Sequence, residues 1–279
     1  SANRKSDNPC VKALLAGNDV LLAPAFPISD FKDVKEAVES GVIPMSEIEK
    51  RCRKILQYKY ISGLNQYRPI QIKGLDERLN TAHAAWLAAE LNAGAITLLK
   101  NEEEMIPVTA LDKRKIAILS IGNPLSDKFS ETVNRYVKAD AYYITKATPA
   151  SKVQQIYAKL NKYDLILCAV HTVRIPESLA LRQLAMKKDV IYSFFTIPYF
   201  CKSYKKSIEA SRSTVLAYEA TPLAQEYAAQ VIFGGIGAKG KLPVTIPDMY
   251  FSGTGILTEK SRLGYHEPEA VGINATLLK

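Results

Sequence analysis

The side chains of this sequence that could do acid–base or nucleophilic work are few and scattered. His83, His171 and His266 are its only histidines. None has a carboxylate together with a hydroxyl or thiol close by in sequence, as a nucleophile relay would need. His83 sits beside Trp86 in an amphipathic stretch and reads as a helix-surface residue. His171 closes an apolar run, the place where parallel α/β sheets present groups to ligands. Glu177 follows in the same loop, and Glu219 ends the next strand but one. Two carboxyl groups working as nucleophile and acid/base must stand about 5–5.5 Å apart. Nothing in the sequence brings such a pair together.

Other motifs dissolve when their context is considered. Gly235-Ile236-Gly237-Ala238-Lys239-Gly240 spells G-x-G-x-x-G, and Gly235 to Lys241 spells G-x-x-x-x-G-K. Both patterns hold phosphate at a helix N-terminus, so they need strand, loop and helix in that order. Here a helix through Phe233 enters the loop and Leu242-Pro243-Val244-Thr245 leaves it as a strand. The glycines read instead as a helix C-cap and a tight turn. Ser203-Tyr204-Lys205-Lys206 spells S-x-x-K without the partner motifs of the serine enzymes that use it. Asn274-Ala275-Thr276 is a formal glycosylation sequon. Cys10, Cys52, Cys168 and Cys201 lie far apart, with no closely spaced ligand pair for zinc, and read as buried free thiols.

The net charge of +9 raises the question of a polyanion partner. Phosphate binding needs clustered cations, yet the basic residues are interleaved with acids, as in Glu47-Ile48-Glu49-Lys50-Arg51-Cys52-Arg53-Lys54. The densest run, 202–212, includes Glu209. These read as solvated surface, with no nucleic-acid module beside them. No run of about eighteen apolar residues occurs, so no membrane span is expected, and the first seven residues are polar, with no secretory core.

The elements that must position these groups fall into two styles. Residues 9–63 read as helix, short buried strand at Val20-Leu21-Leu22, helix, helix. Ser46 and Glu49 suggest a capping box for the last helix, with Ile48, Cys52, Ile55 and Leu56 on one face and Gly63 as its stop. One strand and three helices cannot bury themselves, so this stretch reads as the end of something larger. From residue 95 short apolar runs alternate with helices. Strands are expected at 95–99, 116–121, 141–144, 165–170, 190–195 and 214–218. Helices are expected near 128–138, 151–162, 177–187 and 223–233. That pattern predicts an α/β domain, a mostly parallel sheet covered by helices on both faces.

Four stretches carry a family resemblance. Residues 13–22, Ala-Leu-Leu-Ala-Gly-Asn-Asp-Val-Leu-Leu, resemble the approach to the last barrel strand of the family 3 glycoside hydrolases. Residues 37–43 and the run from Arg53 to Leu64 resemble the helices that close that barrel. Ile96-Thr97-Leu98-Leu99-Lys100-Asn101 with Ile106-Pro107 is similar to the opening of the family's second domain, and 228–234 with 240–245 to its C-terminal signature. The resemblance implies a helical remnant of a (β/α)8 barrel over residues 1–64, a linker over 65–80 and an α/β sandwich domain over 81–257. It also implies a tail over 258–279. There Pro268-Glu269-Ala270-Val271-Gly272-Ile273 resembles the start of a serine β-lactamase-like domain.

What the family implies is hydrolysis of β-linked sugars with retention, through an aspartate upstream of the Gly17-Asn18-Asp19 stretch and so before residue 1. Asp19 is then structural. Glucosidase-type members resemble one another in a Val-Val-Gly-Glu-x-Pro-Tyr-like loop that carries the acid/base Glu. The corresponding place here, 167–178, has neither Gly-Glu nor Pro-Tyr. That departure implies the β-N-acetylhexosaminidase branch, whose acid/base is a histidine of an early barrel loop, with Glu177 as a fallback donor. No catalytic, cofactor-binding or metal-binding residue is therefore expected in this span, and it should be inactive alone. The implied partners are a β-linked amino sugar and, intramolecularly, the barrel. The compartment is periplasmic or secreted if a leader lies upstream. A non-catalytic docking or sugar-binding module, a β-glucosidase-type member and a nucleotide-binding domain are the alternatives.

Overall fold

A computed structural model describes residues 7–122, 127–171, 179–266 and 268–273. The chain divides into two compact units, Ser1–Leu75 and Asp76–Lys279.

The first unit is helical, with α1 (Pro9–Leu15), α2 (Pro27–Glu39) and α3 (Met45–Ile61). Asn8 caps α1, accepting from Cys10 N at 2.8 Å. Its amide donates to Asp30 at 3.0 Å and Asp33 at 2.8 Å, which ties α1 to α2. Val11, Leu14, Ala37 and Ile43 form the small core. Arg51 of α3 donates to the carbonyls of Leu14 and Asn18 at 2.8 and 3.0 Å, capping the end of α1. Asp19 pairs with Lys54 at 2.5 Å, which gives it a structural partner.

Three expectations for this unit are corrected. Residues 20–22 form no strand, and Val20 and Leu22 are 61% and 92% exposed. Three apolar residues have no ladder partner to satisfy their backbone here. Pro44, not Ser46, stands at the N-cap of α3, with no side-chain cap bond. Ser46 already lies inside the first turn, where its hydroxyl cannot serve as the cap. Cys52 is exposed, while Cys10, Cys168 and Cys201 are buried, and all four thiols are free. The stop of α3 is as expected, with Gly63 left-handed at φ +78°.

In the second unit, short α4 (Leu75–Leu79) and α5 (Ala82–Ala95) precede the sheet. Its strands are β1 (Thr97–Asn101), β2 (Ile116–Ile121), β3 (Ala139–Ile144), β4 (Leu165–Val170), β5 (Asp189–Phe194) and β6 (Ser213–Leu216). The spatial order is β1-β6-β5-β4-β2-β3. β1 runs antiparallel to β6 and every other pairing is parallel. The connecting helices are α6 (Lys128–Tyr136), α7 (Ala150–Leu160), α8 (Leu179–Lys187), α9 (Lys205–Ala210) and α10 (Pro222–Phe233).

The unbroken apolar runs follow from burial on both faces. Ile116, Ile118, Leu165, Leu167, Ile191 and Val215 face one core with Phe129 and Val133 of α6 and Ala224 and Ala228 of α10. Ala117, Leu119, Ile166, Cys168, Tyr192 and Leu216 face the other, with Ile156 of α7, Leu184 of α8 and Ile208 of α9. The expected α/β sheet covered on both sides is the architecture observed.

The glycine loop after α10 is explained by what crosses it. Gly234 takes the left-handed cap at φ +76°. A Cβ on Gly237 would lie 2.1 Å from Thr258 O, and one on Gly240 would lie 2.3 Å from Ala95 O. These positions need absence of a side chain, not phosphate-binding amides. The expected strand at 242–245 is absent. In its place Leu242 exchanges bonds with Thr254 and Gly253 at 2.8 and 2.7 Å. Residues 258–266, expected as a departing tail, are bonded along their length. Ser261 N and Arg262 N both donate to Gly234 O at 2.9 Å. Arg262 also donates to Val108 O at 2.7 Å and Phe233 O at 2.8 Å. Gln230 and the backbone of Tyr265 exchange two bonds, at 2.5 and 2.9 Å.

Candidate functional site

The strand order reverses direction between β2 and β4: the chain steps from β2 to β3 on one side, then crosses to β4 on the other. At such a point open α/β sheets bind their ligands, beyond the carboxyl ends of the strands. His171 stands there. Its backbone N–H donates to Ile121 O at 2.8 Å, and Gly122 N–H to Ile144 O at 2.8 Å, so the register carries past the strand ends. The imidazole stacks on Phe195 at 4.7 Å between centroids, 10° from parallel. Its Nδ1 is buried with no hydrogen-bond partner among the described residues.

Burial pushes the His171 imidazole down to about 4, with the Asp127 carboxylate pulling weakly the other way. It is therefore a neutral ring at pH 7, with one acceptor nitrogen to offer. The unfolded chain takes up a proton near pH 6.5 that the folded chain excludes until about pH 4. Stability should accordingly fall as the pH drops through that window, by on the order of 3 kcal/mol, then level off. Urea titrations of the wild type and His171→Leu between pH 7 and 4 test this. The variant should lack that share of the acid loss, and identical acid limbs would mean the ring titrates as in water.

Neighbouring groups complete the edge. Asp127 accepts a hydrogen bond from the Tyr143 hydroxyl. Tyr218, just past β6, is held at φ +65° and bonds Thr97 Oγ1 at 2.8 Å. A non-glycine residue in that conformation marks local strain of the kind found at ligand sites. Glu219 accepts from Thr221 Oγ1 at 3.1 Å. Glu226, 2% exposed, pairs with Lys128 at 3.6 Å and accepts from Gln230 at 3.2 Å. Sequence reasoning singled out His171 and Glu219. It missed Asp127, just before α6, and Tyr218, just past β6, for which neither spacing nor composition gives a signal.

The remaining candidates fall elsewhere. Glu177 and Asn274 lie outside the described residues. His83 is on the exposed side of α5, stacked on Trp86 at 5.4 Å. His266 lies 6.3 Å from the Tyr227 ring. Ser203 and Lys206 are both exposed. Burial pushes the Cys201 thiol up to about 12 and the Cys168 thiol also upward, so neither is a ready nucleophile. Among the described residues no group of three or more His, Cys, Asp or Glu is placed to hold a metal, and no helix is long and apolar enough to cross a membrane. The edge offers a neutral imidazole, a carboxylate and aromatic rings, which is equipment for hydrogen bonding and stacking.

No protein-family model and no curated protein matches the chain. Solved structures do. A glycoside hydrolase family 3 β-N-acetylglucosaminidase from Paenibacillus sp. str. FPU-7 superposes with a TM-score of 0.62 at 18% identity, over 85% of this chain and 47% of its own. The chain shares the fold of one part of that family 3 structure. The β-glucoside phosphorylase BglX gives a TM-score of 0.59 at 17% identity, over 88% of this chain and 46% of its own. A β-glucosidase from Listeria innocua gives 0.54 at 18% identity, over 84% and 37%. The family 3 likeness thus covers more of the chain than the second unit alone can supply, while the chain spans less than half the length of these structures.

Proposed function

We propose that this chain is the end of the catalytic barrel and the following α/β domain of a family 3 glycoside hydrolase, of the branch that removes terminal β-linked N-acetylhexosamine. The observation that carries the choice of branch is the loop after β4. It opens with His171-Thr172-Val173-Arg174, where glucosidase-type members resemble one another in a Gly-Glu that donates the proton. In place of a carboxylic acid, the strand end presents a half-buried neutral imidazole packed on Phe195. The likeness to the Paenibacillus β-N-acetylglucosaminidase supports the same reading.

On this reading the span supplies neither nucleophile nor acid/base. The carboxyl edge of the sheet, with Asp127, His171, Tyr218 and Glu219, is the part of the α/β domain equipped to hydrogen-bond a sugar. It contributes hydrogen bonds that orient the substrate, which raises rate by holding the reacting groups in place.

A chromogenic N-acetyl-β-glucosaminide separates the possibilities. The chain alone should give no turnover, and a chain extended upstream by a whole barrel should hydrolyse it. Turnover by the present span would overturn the view that its catalytic groups lie elsewhere. Preference of the extended chain for a chromogenic β-glucoside would favour the glucosidase-type reading, and failure on both would leave a docking or sugar-binding module.

A further inference from the structure

A concavity lies at the end of the sheet opposite His171. Lys100 on β1 pairs in register with Thr214 near the start of β6, so it marks the amino ends of the parallel strands. Between β1, α9 and the turn at 246–250 opens a cleft of about 370 Å³, lined by Lys100, Lys205, Ile208, Glu209, Asp248, Met249 and Tyr250. That volume is at the lower end of the range of small-molecule sites, suited to one ring and not to an extended ligand.

The lining dictates the chemistry of an occupant. Ile208, Met249 and the Tyr250 ring give an apolar wall. The Lys100 ammonium is already held by the carbonyls of Ile208, Glu209 and Ser211 at 3.1, 2.7 and 2.6 Å, so its stem lines the cleft while its charge is occupied. Lys205 faces Glu209 at 3.9 Å, and Lys202 beside the cleft faces Asp248 at 3.4 Å. Cations and carboxylates therefore balance, which disfavours both a phosphate and an ammonium ligand. Burial, with Glu209 nearby, pushes the Tyr250 phenol up to about 12, so it remains a donor. Among the described residues its hydroxyl makes no hydrogen bond.

A neutral ring with an apolar face and a rim of hydroxyls matches an aromatic wall flanked by both donors and acceptors. We propose that this cleft is a non-catalytic binding site for a single pyranose unit. Tyr250 and Lys205 donate to ring substituents and Asp248 and Glu209 accept from its hydroxyls. The choice of N-acetylglucosamine as the sugar rests on the functional reading above. The place and the chemical class do not.

Titration calorimetry of the chain with N-acetylglucosamine and its β-linked dimer, and with glucose, tests it. Saturable binding is expected. Tyr250→Phe keeps the wall and removes one donor, and Lys205→Met keeps the stem and removes another. Each should weaken binding about five- to tenfold, the loss of one hydrogen bond. Thermal melts establish that both variants stay folded. Lys152→Met, on the exposed side of α7 and outside the lining of the cleft, should leave this binding unchanged. Absence of saturable binding, or binding lost in Lys152→Met and unaltered in the two cleft variants, would overturn the proposal. Glucose bound with no N-acetylglucosamine bound would keep the site and remove the functional reading as the source of the sugar. Failure of the extended chain to hydrolyse an N-acetyl-β-glucosaminide would sink that reading and leave this measurement intact.

Discussion

A chain ended after residue 252 is expected to unfold at far lower denaturant than the full chain, with a stability loss of about 4 kcal/mol. The reason lies in what residues 253–266 hold. Arg262 makes two charge-assisted bonds to Val108 O and Phe233 O, one at the end of α10 and one in the turn before β2. Such bonds contribute more than neutral ones. Gln230 is fully buried on α10 and uses both ends of its amide on Tyr265. Without that partner the buried amide oxygen is left unsatisfied, while the nitrogen keeps only Glu226, and an unmet buried acceptor costs more than the bond contributes when made. Ile256 N–H donates to Leu98 O at 2.8 Å, so its removal also bares the outer side of β1. Urea unfolding followed by tryptophan and tyrosine emission measures the difference. A midpoint within experimental error of the full chain would mean that these bonds do not matter in solution. Arg262→Met in the intact chain should reproduce about half of the loss.

Lys100→Met is expected to cost about 3 kcal/mol, a large effect for a residue whose type suggests surface. Its side chain is only 17% exposed and its ammonium gathers three carbonyls at the end of α9. A six-residue helix has few internal bonds, so a cation at its last carbonyls supplies much of its closure. The pair with Glu102 at 3.0 Å adds little, because Glu102 is half exposed. Arg at this position should not restore stability, since a planar fork cannot converge on three carbonyls as a tetrahedral ammonium does. Equal stability of Lys100→Met and wild type by urea titration would show that water replaces the ammonium freely.

The sheet was legible because its central strands are buried on both faces. Runs such as Leu165–Val170 and Ile116–Ile121 leave no other reading when bounded by helices, and the structure places them at those residues. Val20-Leu21-Leu22 was misread by the same rule, which counts apolar residues but cannot see whether a neighbouring strand exists. That residues 258–266 are bonded to the domain was not legible at all. Their fixings are side chains of Gln230, Arg262 and Thr258 reaching backbone far away in sequence, and no periodicity records that. At the candidate site His171 was found from its place at a strand end. Asp127, just before α6, comes near the His171 ring, and Tyr218, just past β6, shares only the same sheet edge, placements that composition and spacing do not contain.

The antiparallel pairing of β1 with β6 has a consequence for how the second unit comes into being on the ribosome. Thr97 and Tyr218, which bond each other at one end of that pairing, are 121 residues apart. The first strand to emerge therefore has no partner until the last strand has followed it. In the interval β2, β3, β4 and β5 can assemble with their helices, since each pairs with a strand nearer in the chain. Closing so long a loop is costly in entropy before any contact rewards it, so the border strand should join late. Stalled nascent chains ended before residue 213 should accordingly leave residues 97–101 open to protease while protecting the central strands.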